Sequence, residues 1–327
     1  MCGIVGYVGN GIVEKELLSG LQKLEYRGYD SSGILTVHNN KFEITKSVGK
    51  IEDLNKKITH YSNSKCGIGH TRWATHGKVS ELNAHPHISQ DNIFGLVHNG
   101  IIENYMDIKN NYLFNYNFYS ETDSEVIANL YEYYYKKSNI ECELDVLFSI
   151  IDATKLLKGS YALCITANLF NDKIFVAKNK SPLYVATNGK ESLVSSDICT
   201  FEKKFNSYYE IKDNEFAIVT NNNCIFYDIN KHLIIKKPIK LTELDLISNI
   251  DKTKSYMLNE IYQIPTVLSN IIEKYEDGKL FSKIKQNLNK IVLIGCGTAF
   301  HACKIGEMYI NEYSDIETHS YIASEFN

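Results

Sequence analysis

The first reactive side chain is Cys2, directly behind the initiator methionine in "MCGIVGYVGN". Removal of Met1 would leave a thiol and a free α-amine on one residue. With ordinary pKa values of ~8.5 for the thiol and ~7.7–8.0 for the amine, the amine is matched to take the thiol proton near neutral pH. That is a known route to an activated N-terminal nucleophile. Taken by itself, a cysteine at this position reads first as a small buried residue. Its context is "GHTRWATHG" at 69–77 and "HNGIIEN" at 98–104. Arg72 carries a planar fork of donors suited to a carboxylate. Asn99 and Gly100 pair a side-chain amide with a glycine N–H, the two donors that a tetrahedral oxyanion needs. Asp123, in "SETDSEV", can hold an ammonium, although an acid at a helix start is also an ordinary complement to the helix dipole. Together these four functions describe a site for an amino acid with an acyl side chain.

Such a site needs strands and helix ends to position it, and the pattern of the chain supplies them. "CGIVGYV" reads as a strand and "IVEKELLSGLQKLEYRG" as an amphipathic helix ending at Gly28. "SGILTVH" and "KFEITKSV" form a hairpin through Asn39-Asn40. "CGIGHTRW" and "IFGLVHNG" are two more strands, separated by a polar loop. The helix beginning "ETDSEV" has Thr122 as its expected N-cap and Glu125 three residues later, a capping box. A further helix, "ELDVLFSIIDATKLLKG", is expected to end at Gly159, before the strands "YALCITAN", "KIFVAKN", "PLYVATN" and "EFAIVTN". Helices grouped between runs of strands predict an α+β fold with largely antiparallel sheets.

Around residue 241 the character changes to a charged, helical stretch that is expected to break at Pro265. "KIVLIGCGTAFHACKIGEMYINE" then reads as a buried strand, a glycine turn and a helix, the first half of a βαβ unit. The expected division is a first domain at 2–240, a helical linker at 241–285 and a second domain, only begun, at 286–327.

Composition narrows the function further. A formal net charge of −4 gives no basic footprint, so nucleic acid is not an expected partner. The longest apolar runs fall short of the ~18–20 residues that span a bilayer, and no secretory pattern precedes Cys2. The eight cysteines show no repeated spacing and read as reduced thiols of a cytoplasmic protein. Six of the ten histidines fall between 60 and 98, but no Cys or carboxylate lies at zinc-finger spacing, so neither a metal nor a cofactor is expected. "GCGTAF" lacks the full glycine fingerprint of a dinucleotide loop.

"CGIVGYVG", "LEYRGYDSSGI" at 24–34, "GHTRWATHG", "NAHPH" at 83–87, "VHNGIIEN" and "SETDSEVI", in this order, resemble the class II glutamine amidotransferases. "YRGYDSSG", with the later "GCGTAFHA" and "IASEF", is similar to the branch that carries sugar isomerase (SIS) domains. The resemblance implies an N-terminal-nucleophile hydrolase sandwich of two antiparallel sheets between helical layers, followed by the start of an α/β SIS domain. It implies that Cys2 attacks the side-chain amide of L-glutamine, with Asn99 and the Gly100 N–H on the oxyanion. Arg72 would bind the α-carboxylate and Asp123 the α-ammonium, while Trp73, Thr75 and His76 lie on a loop that closes over glutamine. Arg27 would support the nucleophile loop. In the SIS segment, Cys296, Gly297 and Thr298 match the loop that touches the sugar, and Ala299 stands where a serine is common.

The branch uses the ammonia to aminate fructose 6-phosphate, and its members dimerise through the isomerase domains. This stretch lacks the main phosphate loop and the C-terminal lysine of that chemistry. It is therefore expected to be a fragment, monomeric on its own and limited to glutamine hydrolysis. Two other readings stay open: a class II amidotransferase with a phosphoribosyl-binding second domain, and a catalytically silent sugar-phosphate-binding module.

Overall fold

The computed structural model describes residues 2–74, 77–241, 256–275 and 288–326. The chain separates into two compact units, Met1–Asn249 and Ile250–Asn327.

In the first unit the elements follow in the order β1 Gly3–Val8, α1 Val13–Leu24, β2 Ser31–His38, β3 Lys41–Val48, α2 Ile51–Lys57, β4 Cys66–Arg72, β5 His87–Ile88 and β6 Phe94–Ile102. Three helices come next, α3 Tyr105–Tyr112, α4 Asp123–Lys137 and α5 Glu143–Thr154. The chain then returns to strands: β7 Gly159–Ala167, β8 Ile174–Asn179, β9 Tyr184–Thr187, β10 Ser192–Ser195 and β11 Ser207–Glu210, followed by β12 Glu215–Val219, β13 Cys224–Asp228, β14 Leu233–Ile234 and β15 Ile239–Lys240. One sheet has the order β15-β11-β9-β10-β1-β4-β2-β3 and the other β14-β13-β12-β8-β7-β6-β5. Paired strands within both run antiparallel.

Strand periodicity builds the layers, because successive side chains leave a strand on opposite faces. In β1, Ile4 and Val8 enter the core between the sheets, whereas Val5 and Tyr7 join α1 and α2 on the outer side. In β7, Ala162 and Cys164 face the inter-sheet core, and Tyr161, Leu163 and Ile165 pack with α4 and α5. Three apolar layers therefore hold four structural ones, helix-sheet-sheet-helix. This is the architecture expected from the sequence.

Local expectations meet mixed outcomes. Asn39 and Asn40 adopt φ of 48° and 58°, the left-handed pair that closes a tight hairpin between β2 and β3. Helix α1 ends at Leu24, and a single 3₁₀ turn carries the chain on to Gly28. Thr122 occupies the N-cap position of α4 without capping it through its side chain. Its hydroxyl instead meets His87 Nε2 at 3.1 Å and the Ser120 hydroxyl at 3.0 Å. Glu125 accepts from the Tyr119 and Ser120 N–H groups at 2.9 and 2.7 Å, so the expected capping box is replaced by a carboxylate that ties down the preceding loop. Helix α5 stops at Thr154 rather than at Gly159, which opens β7 with φ of 127°.

In the second unit, helix α6 runs from Tyr256 to Tyr275 with Pro265 inside it. The expected break does not occur: the ring removes one main-chain donor, and helical residues on both sides continue the turn. Strand β16 Lys290–Gly295, helix α7 Thr298–Tyr313 and strand β17 Glu317–Ile322 follow, with β16 and β17 paired in parallel. Residues 242–255 and 276–285 of the expected linker, and 286–287 at the start of the expected second domain, lie outside the described residues.

Candidate functional site

Cys2 immediately precedes β1, the strand that pairs with β4 and β10 in the middle of its sheet. β4 ends at Arg72, and the register sets Gly3 opposite Thr71. The next residue, Trp73, thereby reaches the thiol: its N–H donates to Cys2 Sγ at 3.3 Å, and Sγ–H reaches its carbonyl oxygen at 3.6 Å. Burial raises the Cys2 pKa above its ordinary value. The Trp73 main chain and the positive charges of Arg72 and Arg27 oppose that rise.

The turn after α1 holds this arrangement from behind. Asp30 N–H donates to the Arg72 carbonyl at 3.0 Å, and Asp30 Oδ2 accepts from Ala74 N–H at 2.9 Å. The Thr71 hydroxyl donates to the Gly28 carbonyl. A Cβ on Gly28 would sit 2.7 Å from Trp73 N, so only glycine lets the two segments approach this closely. Arg27 pairs with Asp197 at 2.9 Å and donates to the Ser196 carbonyl at 3.3 Å. Ser196 is bonded in turn to the Ile4 main chain, two residues from the thiol.

Strand β6 brings the second group. Asn99 Nδ2 donates to the Cys2 carbonyl at 3.0 Å, and its Oδ1 lies 3.0 Å from His70 Nε2. An amide nitrogen carries two hydrogens, so one remains for an oxyanion. Gly100 adopts φ of 144°, and a Cβ there would stand 2.0 Å from the Ser160 carbonyl oxygen. Backbone conformation and space both demand glycine at this point.

Helix α4 contributes its first turn. Asp123 is buried and accepts from Ile102 N–H at 2.7 Å through Oδ2. The two imidazoles beside it belong to no predicted role. His98 Nδ1 meets the Ser124 hydroxyl at 2.9 Å, and His85 Nε2 meets the same hydroxyl at 2.8 Å. Cys2, Arg72, Trp73, Gly100 and Asp123 line one small pocket, together with His85, His98, Thr122 and Ser124. Trp73 is 45% exposed, its ring edge-on to Tyr29 at 5.7 Å.

The sequence thus named five residues of the pocket and missed the histidines, whose only signal was their crowding between 60 and 98. Thr75 and His76 lie outside the described residues. Cys296, Gly297 and Thr298 belong to the second unit, at the turn from β16 into α7, where Gly297 has φ of 56° and Cys296 is exposed. A thiol against a main-chain N–H, two candidate oxyanion donors, a guanidinium and a carboxylate make a pocket able to hold an amino acid while its side-chain acyl group is attacked.

A model of the glutamine amidotransferase domain matches residues 53–237. Glutamine–fructose-6-phosphate aminotransferase [isomerizing] from Bacillus spizizenii is 40% identical over the whole chain and 55% of its own length. The relative of the same name from Staphylococcus aureus is 39% identical over the same shares. The chain therefore spans about half the length of these curated relatives. Among solved structures, the glutamine phosphoribosylpyrophosphate amidotransferase of B. subtilis, complexed with ADP and GMP, superposes with a TM-score of 0.59 at 26% identity. That likeness covers 71% of this chain and 50% of the other. A structure described as the allosteric regulatory enzyme of purine biosynthesis gives the same TM-score at 27% identity, covering 70% and 49%. The sandwich is thus that of the amidotransferases with an N-terminal nucleophile, and on the strength of the matched domain the chain belongs to the glutamine amidotransferase family.

Proposed function

We propose that the first unit hydrolyses L-glutamine to glutamate and ammonia, with Cys2 exposed as the N-terminal nucleophile by loss of Met1. The observation that carries this reading is the seat of Cys2 Sγ on the Trp73 main chain, in the same pocket as Arg72, Gly100 and Asp123. The α-amine takes the thiol proton, and Sγ attacks the amide carbon of the glutamine side chain. Asn99 Nδ2–H and Gly100 N–H receive the developing oxyanion. Collapse of the intermediate breaks the C–N bond, the proton passes from the α-ammonium to the leaving group, and ammonia departs. Water then cleaves the thioester to release glutamate. Arg72 holds the substrate carboxylate, and Asp123 holds its ammonium through the oxygen that Ile102 does not use. Arg27 keeps the Ser196–Asp197 corner in place, while Trp73, Thr75 and His76 belong to the segment that closes over the substrate.

In the longer protein, the ammonia aminates fructose 6-phosphate, as the name of the whole-chain relatives suggests. The parallel β16–α7–β17 unit, with Cys296, Gly297 and Thr298 at its turn, then begins the sugar-binding domain. A division at 2–240, 241–285 and 286–327, a cytoplasmic setting and dimerisation through the later domains complete this reading. The test is intact mass before and after treatment with a diazo-ketone analogue of glutamine. Loss of Met1 and one adduct, absent from Cys2→Ala, supports the reading; a retained Met1 or an adduct elsewhere overturns it.

A further inference from the structure

Four histidines cluster at the pocket, His85 and His98 in its lining and His70 and His87 beside them, and each is buried. The His70 and His85 rings lie 4.2 Å apart, and those of His85 and His87 4.7 Å apart. Burial, the largest cause, lowers the pKa of His70, His85 and His87, His70 to about 3, so these rings are neutral at physiological pH. A neutral imidazole has one donor and one acceptor, and its partners decide which nitrogen carries the proton.

For His70 the partners leave one solution. Its Nε2 lies 3.1 Å from the His98 carbonyl oxygen, which can only accept, so Nε2 carries the hydrogen. The atom of Asn99 that shares this hydrogen at 3.0 Å must then be Oδ1 rather than Nδ2. The other end of the amide gives the same answer, since it faces the Cys2 carbonyl oxygen at 3.0 Å and must donate. Nδ1 of His70 makes no hydrogen bond among the described residues, as suits its unprotonated state. A rotated Asn99 would set Oδ1 against a carbonyl oxygen and Nδ2 against an N–H.

We infer that His70 is a positioning residue whose Nε2–H fixes the Asn99 amide with its nitrogen toward Cys2. The inference rests on the reading of Asn99 as an oxyanion donor. Of the two anchors on Asn99, the Cys2 carbonyl belongs to the nucleophile residue itself. His70, held in β4 and bonded at the same time to the β6 main chain, is the anchor that does not depend on the attacking residue. Without it, an amide with its oxygen toward the pocket would repel the oxyanion instead of receiving it.

The experiment compares His70→Leu, His70→Gln, Asn99→Ala and the double variant His70→Leu/Asn99→Ala of the full chain, in glutamine hydrolysis. His70→Leu is expected to lower kcat about tenfold or more while KM for glutamine stays within about twofold. His70→Gln, which can return an N–H near the place of Nε2, is expected to recover much of that loss. In the Asn99→Ala background, His70→Leu should cost nothing further. Additive losses, or a rise in KM in place of the fall in kcat, overturn the positioning role. Asn99→Ala with unchanged kcat would instead remove the oxyanion reading beneath it. A second measurement serves if His70→Leu fails to fold: ¹⁵N-histidine NMR of the unsubstituted chain, with the His70 signal assigned through His70→Gln. A hydrogen on Nε2 and a bare Nδ1 from pH ~5 to ~8 support the inference; a hydrogen on Nδ1, or a charged ring, overturns it.

Discussion

The main-chain N–H of Trp73 donates to Cys2 Sγ at 3.3 Å across seventy-one positions of sequence. A main-chain donor on sulfur favours the thiolate, and it works here against burial, which raises the thiol pKa. In the proposed mechanism this opposition is what gives the α-amine its task, because an elevated thiol needs a base at hand. Blocking that amine while keeping Cys2, by retaining Met1 through a change in processing, should abolish turnover. The readout is glutamate release with the N-terminus checked by mass.

Arg72 reaches the pocket from the end of β4 and also donates to the Lys78 carbonyl at 3.4 Å. A lysine keeps the charge but loses the fork that meets a carboxylate through two parallel bonds. Arg72→Lys is expected to raise KM for glutamine by about tenfold, the equivalent of ~1.4 kcal/mol, with a smaller change in kcat. Steady-state kinetics separate the two.

Removing the Asn99 side chain deletes one of the two proposed oxyanion donors and leaves the thiol in place. Asn99→Ala should lower kcat by ~10²–10³. Labelling of Cys2 by iodoacetamide should continue, because alkylation develops no oxyanion. Comparing the two rates on one preparation separates loss of the donor from loss of the nucleophile.

Gly100→Ala places a methyl group 2.0 Å from the Ser160 carbonyl oxygen at φ of 144°. Strain in such a conformation costs ~1–3 kcal/mol before the clash is counted. The variant should melt well below the unsubstituted protein in calorimetry, whereas Gly189→Ala, with nothing within 4 Å of its Cβ, carries only the conformational part at φ of 80°.

The buried imidazoles also set an acid limit. His70 has its pKa lowered from an unfolded value of 6.5 to about 3, and those of His85 and His87 are lowered well below 6.5. The unfolded chain therefore binds more protons than the folded one throughout the interval. By linkage, stability is full above the unfolded value and falls as the pH drops from about 6.5 toward the folded values. Denaturant midpoints measured through that range should decline, and less steeply in His87→Gln, which removes one contributor outside the Asn99 contacts.

Much of this was legible before any coordinates. The Asn39-Asn40 turn, the strand character of "CGIVGYV" and "IFGLVHNG", and the grouping of Cys2, Arg72, Gly100 and Asp123 follow from local pattern and residue chemistry. The departures arise where tertiary contacts override local rules. Glu125 has the spacing of a capping box but spends its carboxylate on Tyr119 and Ser120. Thr122 turns its hydroxyl to His87, and the short β5 and the helix α2 were too brief for a clear period. The histidine group was visible only as a local excess. That the rings of β4, the 83–87 segment and β6 meet at the foot of α4 depends on strand register between distant segments, which spacing along the chain does not encode.

The pleat of β6 has one more consequence. His98 and Asn99 are neighbours, yet one faces Ser124 of α4 and the other faces Cys2 of the opposite sheet. Inserting or deleting a single residue upstream in this strand would exchange their faces, turning the amide toward the helix and the imidazole toward the thiol. Variation here is thus confined to replacement of side chains in place, and changes of length must be absorbed in the turn at 89–93, before the strand begins.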